Sequence, residues 1–249
     1  MKLRYWIIGC ILLILSLKAI EFKPKSADFW YSRGVVLRYL NRNDEALTSY
    51  DKAIQLKPDY ADAWYNRGIV LRKLKRYHEA VASYDQSIQL KPNEPDAWNN
   101  RGNALSDLNR YHEALASFDK AIEIKPDLAE TWNNRGTVLR DLKRYEEVFA
   151  SYDKAIELKP DYASPWYNRG NALQDLNRYE DAVASYDKAI QLKLDDAAAA
   201  WHNRGNALYL LGRNKQALES VEKALQINPN FKQAQKLRKT ILQKLGRSK

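Results

Sequence analysis

The fold is decided by residues 61–128, whose sequence is ADAWYNRGIVLRKLKRYHEAVASYDQSIQLKPNE over 61–94 and PDAWNNRGNALSDLNRYHEALASFDKAIEIKPDL over 95–128. The two stretches align without a gap at a period of 34 residues. A fixed period of this length is typical of solenoid proteins, in which one pair of helices cannot bury its apolar face alone. The pattern therefore predicts stacked helical pairs.

The same spacing extends in both directions along the chain. A tryptophan stands near the start of each period, at Trp30, Trp64, Trp98, Trp132, Trp166 and Trp201. Four residues later follow Gly34, Gly68, Gly102, Gly136, Gly170 and Gly205. A small residue and then an aromatic one come next, at Ala46 and Tyr50, Ala80 and Tyr84, Ala114 and Phe118, Val148 and Tyr152, Ala182 and Tyr186, with Ala217 and Val221 last. Proline closes most periods, at Pro58, Pro92, Pro126, Pro160 and Pro229, with Leu194 as the exception.

This set of residues at this spacing resembles the tetratricopeptide repeat. The resemblance covers residues 27–231 and implies an all-α fold, an α–α superhelix (solenoid) of six full helix-turn-helix repeats. The repeats are predicted at 27–60, 61–94, 95–128, 129–162, 163–197 and 198–231. Residues 232–249 have apolar Leu237, Ile241 and Leu245 on one helix face, which predicts a basic carboxyl-terminal capping helix.

Local helix physics agrees with a helical pair in each repeat. Gly34 and Ala46 are small, so the two helices can approach closely. Pro58 ends the second helix, since proline has no backbone N–H to donate. Asp59 is the predicted N-cap of the next helix, with Asp62 as its capping-box partner. The same pairing recurs at Asn93 with Asp96 and at Asp127 with Glu130.

Charge is concentrated at the two ends of the chain. The formal net charge is +10, but residues 1–26 hold five basic residues and one acidic residue, and residues 232–249 hold seven basic residues and no acid. The repeats between them are nearly balanced. A nucleic-acid binder usually carries its positive charge along a docking face, so we expect no nucleic-acid partner. Basic ends fit an anionic membrane surface at least as well.

The amino-terminal stretch allows three interpretations. Residues 5–17 are almost all apolar and follow two basic residues. They favour a single-pass anchor through residues 5–20, with undetermined orientation, although a membrane helix needs about 20 apolar residues. A cleaved signal would make the protein secreted or periplasmic, and a packed capping helix would make it cytoplasmic. Residues 18–24 match 154–160 closely, so residues 1–26 are predicted to be an apolar helix that ends as a partial repeat.

Side-chain amides recur on the first helix of each repeat, which lines the concave groove in this family. Two residues after a tryptophan stand Asn66, Asn100, Asn134, Asn168 and Asn203, and three residues further stand Asn103, Asn171 and Asn206. An amide can pair with both the N–H and the C=O of a peptide backbone. The row resembles the asparagine ladder of protein O-linked N-acetylglucosamine transferase and implies a site for an extended peptide. The alternative is that these are exposed residues copied with the repeat.

Charged residues are distributed unevenly over the predicted groove. Basic Arg38, Arg72 and Lys73 belong to the first repeats, and acidic Asp107, Asp141 and Asp175 belong to the third to fifth. This predicts modestly stronger binding of an extended ligand whose basic residues face the middle repeats. The alternative is that these charges belong to an ordinary solvated face. One subclass of the family grips chaperone tails by a lysine just after the tryptophan. No repeat has a lysine there, so that ligand is not expected.

An arginine precedes every repeat glycine, at Arg33, Arg67, Arg101, Arg135, Arg169 and Arg204. We predict that these form partly buried ion pairs with acids of the second helices, and that their stems pack between helices. The acids are Asp51, Asp85, Asp119, Asp153 and Asp187, with Glu222 last.

No catalytic constellation is visible. No histidines have the i, i+4 spacing of a zinc helix, and there is no phosphate-binding loop. We therefore expect no enzyme, no metal and no cofactor. The sequence favours a non-catalytic scaffold for protein–protein interaction that binds extended polypeptide segments, as a membrane-tethered adaptor or complex-assembly factor. The alternatives are a soluble or exported scaffold and a structural module that self-associates through its ends.

Overall fold

The computed structural model describes residues 26–247, and within them it contains thirteen helices and no strand. The first compact unit, up to residue 126, holds α1 (Ala27–Tyr39), α2 (Asn43–Leu56), α3 (Ala61–Lys73), α4 (Tyr77–Leu90), α5 (Pro95–Asp107) and α6 (Tyr111–Ile124). The second unit, from residue 127, holds α7 (Ala129–Asp141), α8 (Tyr145–Leu158), α9 (Ala163–Asp175), α10 (Tyr179–Gln191), α11 (Ala197–Leu210), α12 (Asn214–Ile227) and α13 (Lys232–Arg247). The all-α solenoid fold predicted from the sequence is confirmed.

In the first unit, each helical pair is closed by an aromatic ring from its second helix. Tyr50, Tyr84 and Phe118 are completely buried. Each ring lies against the glycine of the first helix, and a Cβ atom added at Gly102 would come within 2.6 Å of the Phe118 ring. Only glycine permits this contact, so the tryptophan-to-glycine spacing and the buried aromatic residue are two parts of one packing unit.

The second unit uses the same packing and ends with α13. Tyr152 and Tyr186 are buried against their glycines, whereas the last pair has the smaller Val221 at this place. Helix α13 packs on α12. Its Ile241 is completely buried, and Leu237 and Leu245 pack against the same apolar cluster.

The first helix of each pair ends in a left-handed residue. Asn41, Lys75, Asn109, Lys143 and Asn177 have φ values of 59° to 60°, and Gly212 has 76°. The next residue closes the turn, as when the N–H of Arg42 donates to the carbonyl of Leu37 at 2.9 Å. Where Leu194 replaces proline, Lys193 at φ 57° ends the second helix in the same way.

The predicted capping boxes are wrong. Helix α3 follows Tyr60, and no side chain caps it. The N–H of Tyr60 donates to the carbonyl of Lys57 at 3.1 Å, and this turn places Asp59 one residue too early to cap. Helices α5 and α7 also lack a side-chain cap. Within residues 26–247, Ser26 and Asp196 are the residues that cap a helix start with their side chains.

The predicted single-pass membrane location is also corrected. No helix among residues 26–247 is long and apolar enough to cross a membrane. The longest, α13, has 16 residues and spans roughly 24 Å, against a hydrocarbon core of about 30 Å. The predicted span at residues 5–20, and the partial repeat after it, lie outside the described residues.

Candidate functional site

In the first unit, the arginines before Gly68 and Gly102 join neighbouring repeats, whereas Arg33 is bound within its own repeat. Arg67 Nε donates to Asp51 Oδ1 of the preceding repeat at 2.7 Å, and its Nη1 donates to the Ser83 hydroxyl of its own repeat at 2.6 Å. Arg101 repeats both bonds with Asp85 at 2.6 Å and Ser117 at 2.7 Å. These arginine side chains are only 19% and 20% exposed. The predicted partly buried ion pairs are therefore confirmed here.

The second unit has the same arrangement. Arg169 pairs with Asp153 at 3.0 Å, and Arg204 pairs with Asp187 at 2.6 Å. The predicted partner of the last acid was wrong, because Glu222 pairs with Arg238 of α13 at 3.3 Å. The buried serines that accept from the arginines were missed in the sequence, although each lies 16 residues after its arginine.

Changing Arg101 to lysine should lower the free energy of unfolding by about 1 kcal/mol. A lysine cannot reach Asp85 and Ser117 together in the geometry of the guanidinium. The acid is half exposed, so solvent screening limits the loss. Urea unfolding followed by circular dichroism measures the effect. Arg110→Lys is the matched control, because Arg110 pairs only with exposed Glu113 one turn away, and the unfolding curve should stay unchanged.

In the first unit, side-chain amides of the predicted row already form hydrogen bonds within the protein. Asn66 Nδ2 donates to the carbonyl of Asp62 at 2.8 Å and lies 3.4 Å from the Tyr31 hydroxyl. Asn100 Nδ2 donates to the Tyr65 hydroxyl at 2.9 Å. The contacts with the two tyrosine hydroxyls cross from one repeat to the next, so these amide donors help to hold the stack. The amide oxygen of half-buried Asn100 remains an acceptor for a ligand N–H.

The amide row of the second unit is tied in the same way. Asn168 Nδ2 donates to Asn133 Oδ1 at 2.9 Å. Asn203 Nδ2 donates to the Tyr167 hydroxyl at 3.1 Å and to Asn171 Oδ1 at 3.0 Å. Asn134 also has a bonding partner. In four repeats the residue after the tryptophan serves as the acceptor, at Tyr31, Tyr65, Asn133 and Tyr167, a role that the sequence did not reveal.

Two amides of the predicted row have both ends open. Asn103 on α5 and Asn206 on α11 are half buried. Within the described part of the chain, the side-chain amide of neither residue forms a hydrogen bond. Each lies three residues after a row member, on the same helix face. Their donors and acceptors are available to a ligand without loss of a structural bond.

The groove charges that the sequence separated are joined in the structure. Arg72 Nε donates to Asp107 Oδ2 at 2.7 Å, and Arg140 binds Asp175 through two bonds of 2.6 and 3.1 Å. Asp141 has no such partner, and burial raises its pKa above the ordinary value while Arg140 opposes this. Of the three acids predicted to attract a basic ligand, two are already neutralised.

A cavity of about 380 Å³ opens in the first unit beside this ion pair. Its lining includes Arg72, Asp107, Asn100 and the fully buried Tyr84. Lys73 and Lys75 add two further positive charges. The sequence contained Arg72, Lys73 and Asp107 as candidates, but not the cavity that they share.

Family comparison assigns the repeats. The model described as "Tetratricopeptide repeat" matches residues 61–94, 95–128, 163–196 and 198–231, and a second, described as "TPR repeat", matches 36–75 and 136–177. This chain belongs to the tetratricopeptide-repeat family. Proteins of this family mediate protein–protein interaction and bind peptides.

Solved structures show the same fold. The type IV pilus biogenesis factor PilW is 21% identical, with a TM-score of 0.77, over 85% of this chain and 97% of that one. YrrB, described as a TPR protein with an unusual peptide-binding site, is 23% identical, with a TM-score of 0.59. The match covers 76% of this chain and 97% of that one. A chain of the Cut9–Hcn1 complex of APC/C is 18% identical, with a TM-score of 0.75. The match covers 93% of this chain but only 45% of that chain. A comparison with curated proteins gives no match.

Proposed function

We propose that this tetratricopeptide-repeat protein is a non-catalytic scaffold that binds extended polypeptide segments along the first helices of its repeats. The observation that carries the proposal is the row of half-buried amides, in which Asn103 and Asn206 have no partner and Asn100 keeps a free oxygen. Such amides match the backbone of an extended chain and do not depend on its side chains. The proposed role is that of an adaptor or complex-assembly factor.

The bonds that hold the row support a pre-formed site. Asn100 is fixed by Tyr65, and Asn168 is fixed by Asn133, so the amide oxygens are oriented before any ligand arrives. A peptide then does not have to order these side chains, which lowers the entropic cost of binding. This interpretation unites the two uses of the row that the sequence left as alternatives, a ligand site and a repeated structural residue.

Changing both Asn103 and Asn206 to alanine should weaken peptide binding about five- to a hundredfold, because each amide offers at least one hydrogen bond worth about 0.5–1.5 kcal/mol and every 1.4 kcal/mol is a factor of ten. The ligands are random twelve-residue peptides selected by phage display against the full-length chain. Affinities of the selected peptides are then measured by fluorescence anisotropy. Stability should not change, since neither amide bonds to another described residue.

Gln86→Ala is the matched control, since it removes an amide from the exposed face of a second helix, α4. Selected peptides that bind the double variant as tightly as the original chain would contradict the proposal. Equal loss in the Gln86 variant would point to binding on the other face.

A further inference from the structure

Tyr84 lines the cavity of the first unit, and its buried hydroxyl has no hydrogen-bond partner. The side chain is completely buried. Burial raises its pKa above the ordinary value, so the phenol keeps its proton and can donate it in a hydrogen bond. An unpaired buried donor is costly, and native proteins seldom leave one without an acceptor.

Comparison with the second unit shows why this hydroxyl is unpaired. The Tyr186 hydroxyl donates to Asn171 Oδ1 at 2.9 Å, and the Tyr152 hydroxyl lies 3.4 Å from the Thr137 hydroxyl. The residue at the same spacing before Tyr84 is Ile69, which has no polar atom. In the fourth and fifth repeats, a polar side chain fifteen residues earlier therefore faces the tyrosine hydroxyl, whereas the second repeat has none at that place.

The charges around the cavity require a ligand of negative sign. Asp107 already neutralises Arg72 at 2.7 Å. Lys73 Nζ donates to the Asn41 amide oxygen at 2.6 Å, which leaves its positive charge uncompensated. Lys75 is a second cation of the lining, and its side chain forms no hydrogen bond or ion pair within residues 26–126. Two positive charges thus line the same cavity as Tyr84, whose hydroxyl needs an acceptor.

The first repeat repeats this shortage of acceptors. The Tyr50 hydroxyl and Arg38 Nε are buried and make no hydrogen bond. Val35 stands at the place equivalent to Ile69 and likewise offers no polar side-chain atom to the tyrosine. Burial raises the pKa of Tyr50, and the guanidinium of Arg38 partly opposes this rise. Three of the four unpaired buried side-chain atoms described in the first unit are therefore donors, and the fourth is the amide oxygen of Asn43.

We infer that the cavity binds a carboxylate of the polypeptide ligand, with the Tyr84 hydroxyl donating to one oxygen and the ammonium groups of Lys73 and Lys75 neutralising the charge. The carboxylate belongs to an aspartate or glutamate side chain or to a chain terminus. This inference rests on the proposed function and deepens it, because it makes the first unit selective for acidic segments.

Synthetic peptides test the carboxylate directly. The probe is a blocked twelve-residue peptide of alternating glutamate and serine, and its analogue has glutamine at every glutamate. A third peptide has glutamine side chains and a free carboxyl end. Titration of each into the full-length chain, followed by fluorescence anisotropy, should show the glutamate or free-carboxyl peptide binding at least about tenfold more tightly than the blocked glutamine peptide. Tighter binding of the glutamate peptide identifies a side-chain carboxylate, and tighter binding of the free-carboxyl peptide identifies a chain terminus.

Two variants assign the effect to Tyr84. Tyr84→Phe should reduce the affinity for the carboxylate peptide about tenfold, and the fold accepts the change because Phe118 holds the equivalent place. Ile69→Asn should also weaken it several-fold, because the new amide would take the hydroxyl as Asn171 takes that of Tyr186. Tyr186→Phe is the matched control and should leave the affinity unchanged.

The outcomes separate the inference from the proposed function. Unchanged affinity in both Tyr84→Phe and Ile69→Asn overturns the inference. A glutamine peptide that binds as tightly as the others, and loses affinity in Asn103→Ala, overturns the inference and leaves the proposed function standing. A carboxylate peptide that depends on Tyr84 but not on Asn103 overturns only the extended amide row. If no peptide binds at millimolar concentration, both fail.

Discussion

Replacing Phe118 by alanine will lower the free energy of unfolding by about 3–5 kcal/mol. The ring is completely buried and fills the space between α5 and α6 beside Gly102. Its removal exposes apolar surface and leaves a cavity that backbone helices cannot easily close. Urea unfolding followed by far-ultraviolet circular dichroism measures the loss as an earlier transition for the first unit.

Phe118→Tyr is the matched control for this change. Tyrosine occupies the equivalent place at Tyr50, Tyr84, Tyr152 and Tyr186. In repeat five its hydroxyl bonds to Asn171, and Asn103 stands at the same spacing from Phe118. We expect the stability of this variant to stay within about 1 kcal/mol of the original. A larger loss in the tyrosine variant than in the alanine variant would contradict the packing described here.

Gly102→Ala is expected to destabilise the first unit by about 1–3 kcal/mol, although alanine is the better helix former by about 1 kcal/mol. The added Cβ would come within 2.6, 2.8 and 2.9 Å of three atoms of the Phe118 ring. Because that ring is enclosed on all sides, the helices must separate to admit the methyl group. The steric cost therefore exceeds the gain in helix propensity.

Two further variants isolate this clash. In the double variant with Phe118→Ala the ring is absent, so the two losses should sum to clearly more than the measured total. Gly246→Ala is the control in α13, where an added Cβ meets no atom within 4 Å; it should leave stability unchanged or slightly higher. Strict additivity of the two changes, or a stable Gly102→Ala single variant, would show that the ring and the glycine do not meet.

The helix starts illustrate the limit of local patterns. The spacing Asp59 to Asp62 satisfied the capping-box pattern, but the chain turns one residue later and leaves Asp59 outside the helix. The Trp64 indole helps to hold this turn, because its Nε1 donates to the carbonyl of Pro58 at 2.9 Å. This contact joins a side chain to a backbone carbonyl six residues away and recurs between Trp98 and Pro92, whereas the capping-box pattern considers only residues three apart.

The candidate site shows the same division. The sequence predicted that the arginines before the glycines pair with acids of the second helices, and Arg67 does so with Asp51 of the preceding repeat. Arg72 was assigned to the basic first repeats and Asp107 to the acidic third to fifth repeats, yet they form an ion pair between residues 35 apart. The sequence therefore identified the charged residues and missed the neutralisation that changes which ligand they favour.

By itself, the sequence determined the all-α class, the 34-residue period and the small residues at which paired helices approach closely, because these depend on residue size and apolarity repeated within one helical pair. The tertiary structure alone decided that Asn100 donates to Tyr65, that Arg72 is neutralised, and that Tyr84 is left without an acceptor. These contacts depend on how each repeat is rotated against the next. That rotation is set by the combined packing of many side chains, so no spacing within one repeat reveals it.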